Sequence, residues 1–268
     1  MTLPDPGTPN AEEWERHWRA YDEATQRNPA HRLRRALLFS ALEPSGPGPL
    51  RILDLGCGQG DFLREARQRF PGAQLAGVDL SLAGLDLART RVPDARFYRA
   101  DFGIADPLPA ELRGFATHVI CSEVLEHLDD PVAALRKLAP ALAPGGHLLV
   151  TVPGGPRSAF DIHIGHRRHY SPGELESLLR GAGYEPEEVR GAGFPFFNLY
   201  KLVVVLRGRR LAQDLDQARP LSQTSVLAMA AFDWLFRLSS NRTRLGWQTF
   251  GVFRKATAGT TVLEAICP

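Results

Sequence analysis

Asp54, Gly56, Gly58 and Gly60 close the stretch RILDLGCGQG (Arg51–Gly60), an apolar run broken by one acid and three alternate glycines. A buried strand that feeds a glycine loop and then a helix brings a nucleotide-like ligand against bare backbone. Glycine has no Cβ, so it accepts positive φ and lets a ligand approach the main chain closely. Asp79 ends the next apolar run (GVDLS), where a carboxylate can accept two hydrogen bonds from a ribose diol. Asp101-Phe102 follows a third run and puts a second acid over the adjoining edge, suited to an exocyclic amine. Two clusters follow. CSEVLEHLDDP (Cys121–Pro131) holds Glu123, Glu126 and His127 at i, i+3, i+4, a spacing that on a helical turn could converge on a divalent cation. DIHIGHRRHY holds His163, His166 and His169, then Tyr170. Spacing alone does not make loop histidines converge, so no set of metal ligands is assigned.

These residues need elements to position them, and the chain supplies a regular alternation. Strands are expected at Arg51–Leu55, Gln74–Val78, Arg96–Arg99, Thr117–Cys121 and Gly146–Val152, with two more at Tyr184–Arg190 and Gly246–Lys255. Helices are expected at His31–Leu42, Asp61–Phe70, Leu82–Thr90, Pro131–Leu142 and Pro172–Gly181. The last has Ser171 as N-cap, Glu174 completing the capping box and Gly181 as terminator. Strands alternating with helices imply an α/β fold, a doubly wound and mostly parallel sheet of seven strands. An N-terminal helical cap (1–49) carries Trp14, Trp18 and Tyr21 on one helical face, and a short tail spans 257–268. The core is 50–193 with 246–256, interrupted at 194–245 by a helical insertion rich in Phe, Leu, Val and Trp.

The ordered set of motifs resembles the class I S-adenosylmethionine-dependent methyltransferases, in particular the bacterial ubiquinone-type O-methyltransferases. It comprises ILDLGCGQG, GVDLS, RADF (Arg99–Phe102), CSEVLEHLDDP and APGGHLLVTVP (Ala143–Pro153), and it covers Arg51–Gly193 and Gly246–Lys255. The resemblance implies a Rossmann-like methyltransferase fold that binds S-adenosylmethionine and releases S-adenosylhomocysteine. By position it implies that Asp54, Gly56, Cys57, Gly58 and Gly60 cradle the methionine moiety. Asp79 would hold the ribose, Leu80 would flank the adenine, and Asp101 and Phe102 would read its edge. The backbone at Cys121 and Ser122 would meet the amino-acid end. The spacing GxGxG departs from the dinucleotide GxGxxG, and strand four ends where a hydride-transfer enzyme needs a nicotinamide pocket.

His127, just past strand four, is a candidate general base for a hydroxyl or amine acceptor, or else it only hydrogen-bonds within its loop. His166 and Tyr170 are candidates for acceptor binding or proton handling, against plain loop packing. The expected reaction is methyl transfer to an oxygen, less readily nitrogen or carbon, of a small or lipid-like molecule. A non-methylating reaction on the same scaffold, such as cyclisation, and a non-catalytic binding module stand as alternatives. No Asn/Asp-Pro-Pro-Tyr motif follows strand four, which argues against methylation of nucleic-acid bases. The net charge of +2 demands no nucleic-acid partner. Three cysteines without metal spacing and no signal peptide fit a cytoplasmic bacterial protein. The insertion offers four roles: an accessory layer, a lid over an apolar acceptor, a homodimer face in place of a monomer, or a surface that touches a membrane peripherally. Its longest apolar run is too short and too interrupted to span one.

Overall fold

The computed structural model describes residues 28–42, 48–101, 107–216 and 222–256. The aromatic stripe Trp14, Trp18 and Tyr21, the tail from 257, and Phe102 lie outside them. Seven strands form one sheet: β1 (Arg51–Leu55), β2 (Gln74–Asp79), β3 (Arg96–Arg99), β4 (Ala116–Ser122), β5 (Leu142–Pro153), β6 (Tyr184–Ala192) and β7 (Gln248–Lys255). Their order is β3-β2-β1-β4-β5-β7-β6. β1 to β5 are parallel, and β7 runs antiparallel to both of its neighbours. The chain winds outward from β1 through β2 and β3, then crosses to β4 on the other side. That reversal opens a crevice at the carboxyl ends of β1 and β4, the place where open α/β sheets bind ligands.

Alternation along β1 shows how the sheet is buried on both faces. Leu53 and Leu55 enter one apolar cluster, with Val119, Leu148, Leu135 and Leu175. Ile52 enters the other, with Leu63, Leu85, Leu37 and Phe250. Two covered faces account for strands that read as continuous apolar runs. The helices are α1 (Pro29–Ser40), α2 (Asp61–Arg69), α3 (Leu82–Arg91), α4 (Pro131–Leu138), α5 (Ala159–His163), α6 (Pro172–Gly181), α7 (Phe196–Asp216) and α8 (Gln223–Phe236).

Some boundaries differ from the sequence-based ones for local reasons. α1 starts two residues early because the Asn28 side chain accepts from Ala30 N, with Pro29 at the first position. α6 has the expected capping box, but Gly181 lies inside the helix. Gly183, at φ +90°, takes the left-handed position that ends it. In the insertion, α7 begins at Phe196, just after Phe194, whose backbone pairs with Ser240, and it runs on to Asp216.

α7 and α8 pack through Phe197, Tyr200, Phe232 and Phe236, with ring centroids 5.3–6.1 Å apart between Tyr200 and Phe232 and between Phe232 and Phe236. Phe197 is 2% exposed and belongs to the core under α1. One polar clasp ties α7 to α5. Lys201, the lone cation in an apolar stretch, donates to Asp161 Oδ1 at 2.5 Å, and both are buried. Asp161 Oδ2 also accepts from Ser158 N and Ser158 Oγ. Breaking a buried pair from one side leaves an uncompensated charge. Lys201→Met is therefore expected to destabilise the protein by about 3 kcal/mol in urea unfolding, and adding Asp161→Asn should restore part of that loss. Additive effects in the double variant would refute the pairing.

Candidate active site

The glycine loop takes the strained backbone that its composition permits. Gly56, Gly58 and Gly60 have φ of +71°, +50° and +77°. Gly56 N and Cys57 N donate to Val78 O, and Gly60 N to Cys57 O, so the loop curls over the end of β2. A Cβ on Gly56 would meet Val124 Cγ2 at 2.5 Å, and one on Gly60 would meet Ala88 Cβ at 3.0 Å. The loop is thus packed against the turn after β4 on one side and α3 on the other.

Asp79 holds it there. Its Oδ2 accepts from Gly58 N at 2.8 Å and its Oδ1 from Ser81 N at 2.9 Å. Ser81 in turn caps α3, its Oγ accepting from Gly84 N. Asp54 is buried nearby. Burial first, and then the Asp79 carboxylate, push its pKa well above the usual range. The Cys57 thiol is buried, its Sγ reaching the space a Cβ of Gly77 would take, and burial pushes its pKa up. Leu80 follows Asp79 directly and its carbonyl accepts from Arg99 Nε. Asp101 lies half-buried at the edge of the described segment, while Phe102 lies outside it. Ser122, at the end of β4, shares a hydrogen bond with Thr151 Oγ1 at 2.8 Å.

The two clusters that the sequence kept apart are one site in space. Leu125–His127 forms a short 3-10 turn, and the segment 165–170 lies along it. Arg167 N donates to Glu126 O, Arg167 Nε to His127 O, and Tyr170 Oη to Leu125 O. The His127 and His166 rings meet edge to face with centroids 4.8 Å apart. His163 is exposed on α5 and does not join them. Tyr170 is 5% exposed within the apolar cluster that holds Leu125 and Leu175, and burial pushes its hydroxyl pKa up.

Glu123 also leaves the group. It adopts φ +55°, ion-pairs with Arg34 of α1 at 2.7 Å and accepts from Gln248 Nε2 of β7. Glu123 therefore does not converge with Glu126 and His127, and a different trio does. Ligand atoms of Glu126, His127 and His166 lie within 4.8 Å of one another, a span that one cation can bridge. Asp161, His166 and His169 form a second such group, where Lys201 already sits on Asp161 Oδ1.

Carbonyl oxygens settle the tautomers of the histidine chain. Gly155 O can only accept, so His169 Nδ1 donates to it. Burial lowers the His169 pKa to about 4, so the ring is neutral and its Nε2 keeps a lone pair. His166 Nδ1, 3.2 Å away, donates to that Nε2. Burial first, then the neighbouring His127, hold the His166 pKa well below 6.5. The lone pair of His166 is therefore on Nε2, facing Glu126 Oε1 at 3.9 Å. Glu126 is fully buried with neither carboxylate oxygen hydrogen-bonded, and burial pushes its pKa well up. Sequence reasoning missed Glu126 as the buried acid, His169 as the support of His166, and Arg34 as the partner of Glu123. Lys201 did leave a signal, four residues after Phe197 on the packing face.

Fold and site together define a Rossmann-like methyltransferase, and comparison with known proteins places the chain further. It belongs to the family described as methyltransferase domain, whose model matches residues 21–189. Its methyl donor is S-adenosylmethionine. The chain is 32% identical over 193 residues to the ubiquinone biosynthesis O-methyltransferase of Xanthomonas axonopodis pv. citri (strain 306), across 65% of this chain and 78% of that one. It is 41% identical over 110 residues to the trans-aconitate 2-methyltransferase of Rhizobium meliloti (strain 1021), covering 41% of this chain and 39% of the relative. Two solved structures share the fold. One is phosphoethanolamine N-methyltransferase 2 of Haemonchus contortus with bound S-adenosylmethionine (TM-score 0.57, 19% identity, 94% of this chain and 59% of that one). The other is the 4+2 cyclase SpnF (TM-score 0.62, 17% identity, 96% and 100%).

The neutral imidazoles make stability depend on pH. With folded pKa values below that of the unfolded chain, His166 and His169 leave stability intact above pH 6.5. As pH falls, the unfolded chain protonates first, and stability drops through the window from 6.5 towards about 4. Each such histidine contributes a slope of about 1.4 kcal/mol per pH unit at most. Urea midpoints compared on either side of this window should show the loss, and His169→Asn should reduce it. A midpoint independent of pH would contradict the lowered pKa values of His166 and His169.

Proposed function

We propose that the protein transfers the methyl group of S-adenosylmethionine to a hydroxyl oxygen of a small molecule in the cytoplasm, with His166 as the general base. The observation that carries this reading is the His169–His166 chain, which leaves a neutral Nε2 lone pair facing a buried acid. That acid, Glu126, stands on the turn that packs against the glycine loop through Val124. The likeness to an O-methyltransferase across most of its length supports oxygen as the accepting atom.

When bound, S-adenosylmethionine supplies a methyl carbon on a sulfonium and leaves as the neutral thioether. In this reading the glycine loop, with Cys57 in it, cradles the methionine moiety, since no side chain fills that space. The Asp54 and Asp79 carboxylates suit its ammonium and ribose diol, Leu80 and Asp101 border the adenine, and the backbone at Ser122 meets the amino-acid end. His166 Nε2 takes the hydroxyl proton as the oxygen attacks, and Asp161, 3.7 Å from Nδ1, compensates the imidazolium. His127 shapes the pocket beside it. Methyl transfer relies chiefly on alignment, so the base adds a modest share of the rate.

The unpartnered oxygens of Glu126 favour a second reading, in which a divalent cation bound by Glu126, His127 and His166 orients the acceptor oxygen. Dialysis against a chelator separates the two. Unchanged turnover supports His166 as base, and loss restored by Mg²⁺ supports the cation.

The test begins with isotopic methyl donor and a panel of phenols, hydroxy acids and amines, scored by mass. With an acceptor in hand, His166→Ala should lower kcat by about 10²–10⁴ while S-adenosylhomocysteine affinity stays near wild type. A loss below about fivefold would return His166 to packing. Asp79→Ala should weaken S-adenosylhomocysteine binding by about 1.5–3 kcal/mol on calorimetry, and unchanged affinity would remove it from the site.

A further inference from the structure

The helical insertion exposes far more apolar surface than the sheet it joins. On α7, Leu199, Leu202, Val203 and Leu206 are exposed by 48, 42, 38 and 78%. They recur at i, i+3, i+4, i+7, a stripe opposite the face that packs through Phe197 and Tyr200. On α8, Leu227 and Trp234 are exposed by 70 and 60%, seven residues apart, and Leu238 just beyond the helix by 59%. Scattered surface leucines need no explanation, but exposed apolar residues at helical spacing on both members of one helical pair do.

Charge says what covers them. Arg210 continues the α7 stripe, and Arg207 and Arg209 flank it; all three are exposed and none has an ion-pair partner among the described residues. An open groove of about 400 Å³ is lined there by Ala159, Val205, Leu206, Arg207, Arg209 and Arg210. Asp233 is the one carboxylate among the described side chains of α7 and α8, and it is held by Arg32 at 2.9 Å. A surface of anionic lipid offers both partners: phosphates for the arginines and acyl chains for the Leu and Trp side chains.

We infer that the α7–α8 pair is a peripheral docking surface for an anionic membrane. It lies flat at the interface, with Leu206 and Trp234 inserted and Arg207, Arg209 and Arg210 on the lipid phosphates. None of the described helices is long and apolar enough to cross a bilayer, so the contact is lateral. The inference is independent of the reaction and of which residue is the base.

Sedimentation of the full chain with vesicles tests it. Phosphatidylcholine vesicles should leave the protein in the supernatant. The same vesicles containing phosphatidylglycerol should pellet it at low salt and release it at high salt. The triple variant Arg207→Glu, Arg209→Glu, Arg210→Glu should lower vesicle affinity at least about tenfold. Leu206→Asp combined with Trp234→Asp should do the same, and both variants should bind S-adenosylhomocysteine as wild type does. Failure to pellet with either vesicle, or pelleting unchanged in both variants, overturns the inference. So does a doubled mass by light scattering without lipid that Leu206→Asp with Trp234→Asp reduces to a monomer, because a second copy then covers the stripes.

Discussion

Both oxygens of one carboxylate organise the ligand edge of this sheet. Asp79 stands at the end of β2, where it holds the Gly58 amide on one oxygen and the Ser81 amide on the other. The first bond fixes a loop whose three glycines would otherwise sample a wide range of backbone conformations. The second sets the residue that caps α3. Loop, helix start and strand end are therefore placed relative to each other by a single charged group. Its negative charge, added to burial, is also what lifts the Asp54 pKa. Removing it would loosen the loop and change the electrostatics of the crevice together.

The acceptor side is built differently, by backbone laid against backbone. Segment 165–170 is held on the 125–128 turn by bonds to the carbonyls of Leu125, Glu126 and His127, and Tyr170 anchors it from below. This brings histidines from two distant motifs into edge-to-face contact and closes Glu126 away from water. A buried acid without a hydrogen bond is costly unless it stays neutral or meets a partner when substrate or cation arrives. A buried acid of raised pKa beside neutral imidazoles is an arrangement typical of catalytic sites.

The insertion shows the same economy of polar contacts. One lysine, clasped to Asp161, locks α7 onto α5 beside the histidine chain, and four aromatic rings join α7 to α8. Leu199, Leu202, Val203, Leu206, Leu227 and Trp234 face outward, so the segment adds apolar surface as well as core.

Much of this was legible in the amino-acid sequence, and the limits have physical causes. The alternation of apolar runs and helical stretches, with glycine at alternate positions after Asp54, specified the doubly wound sheet and the loop. Those signals are local: strand period, caps and positive φ each act within a few residues. Element ends were less certain, because Asn28 and Gly183 compete with neighbours that cap almost as well. What the sequence left open was every contact between distant segments. Three histidines at equal spacing look equivalent in a string, yet only His166 and His169 point inward while His163 ends exposed on α5. Glu123 and Glu126 looked like partners, yet positive φ turned Glu123 towards Arg34 and Gln248. Which acid is buried depends on packing, and which nitrogen keeps its lone pair depends on carbonyls that only the packed chain brings into place, Gly155 O at His169 Nδ1 and Gly165 O at His127 Nδ1. Periodicity and glycine placement thus determined the scaffold, and tertiary packing alone decided the chemistry of the acceptor side, because burial and hydrogen-bond geometry are properties of the folded assembly.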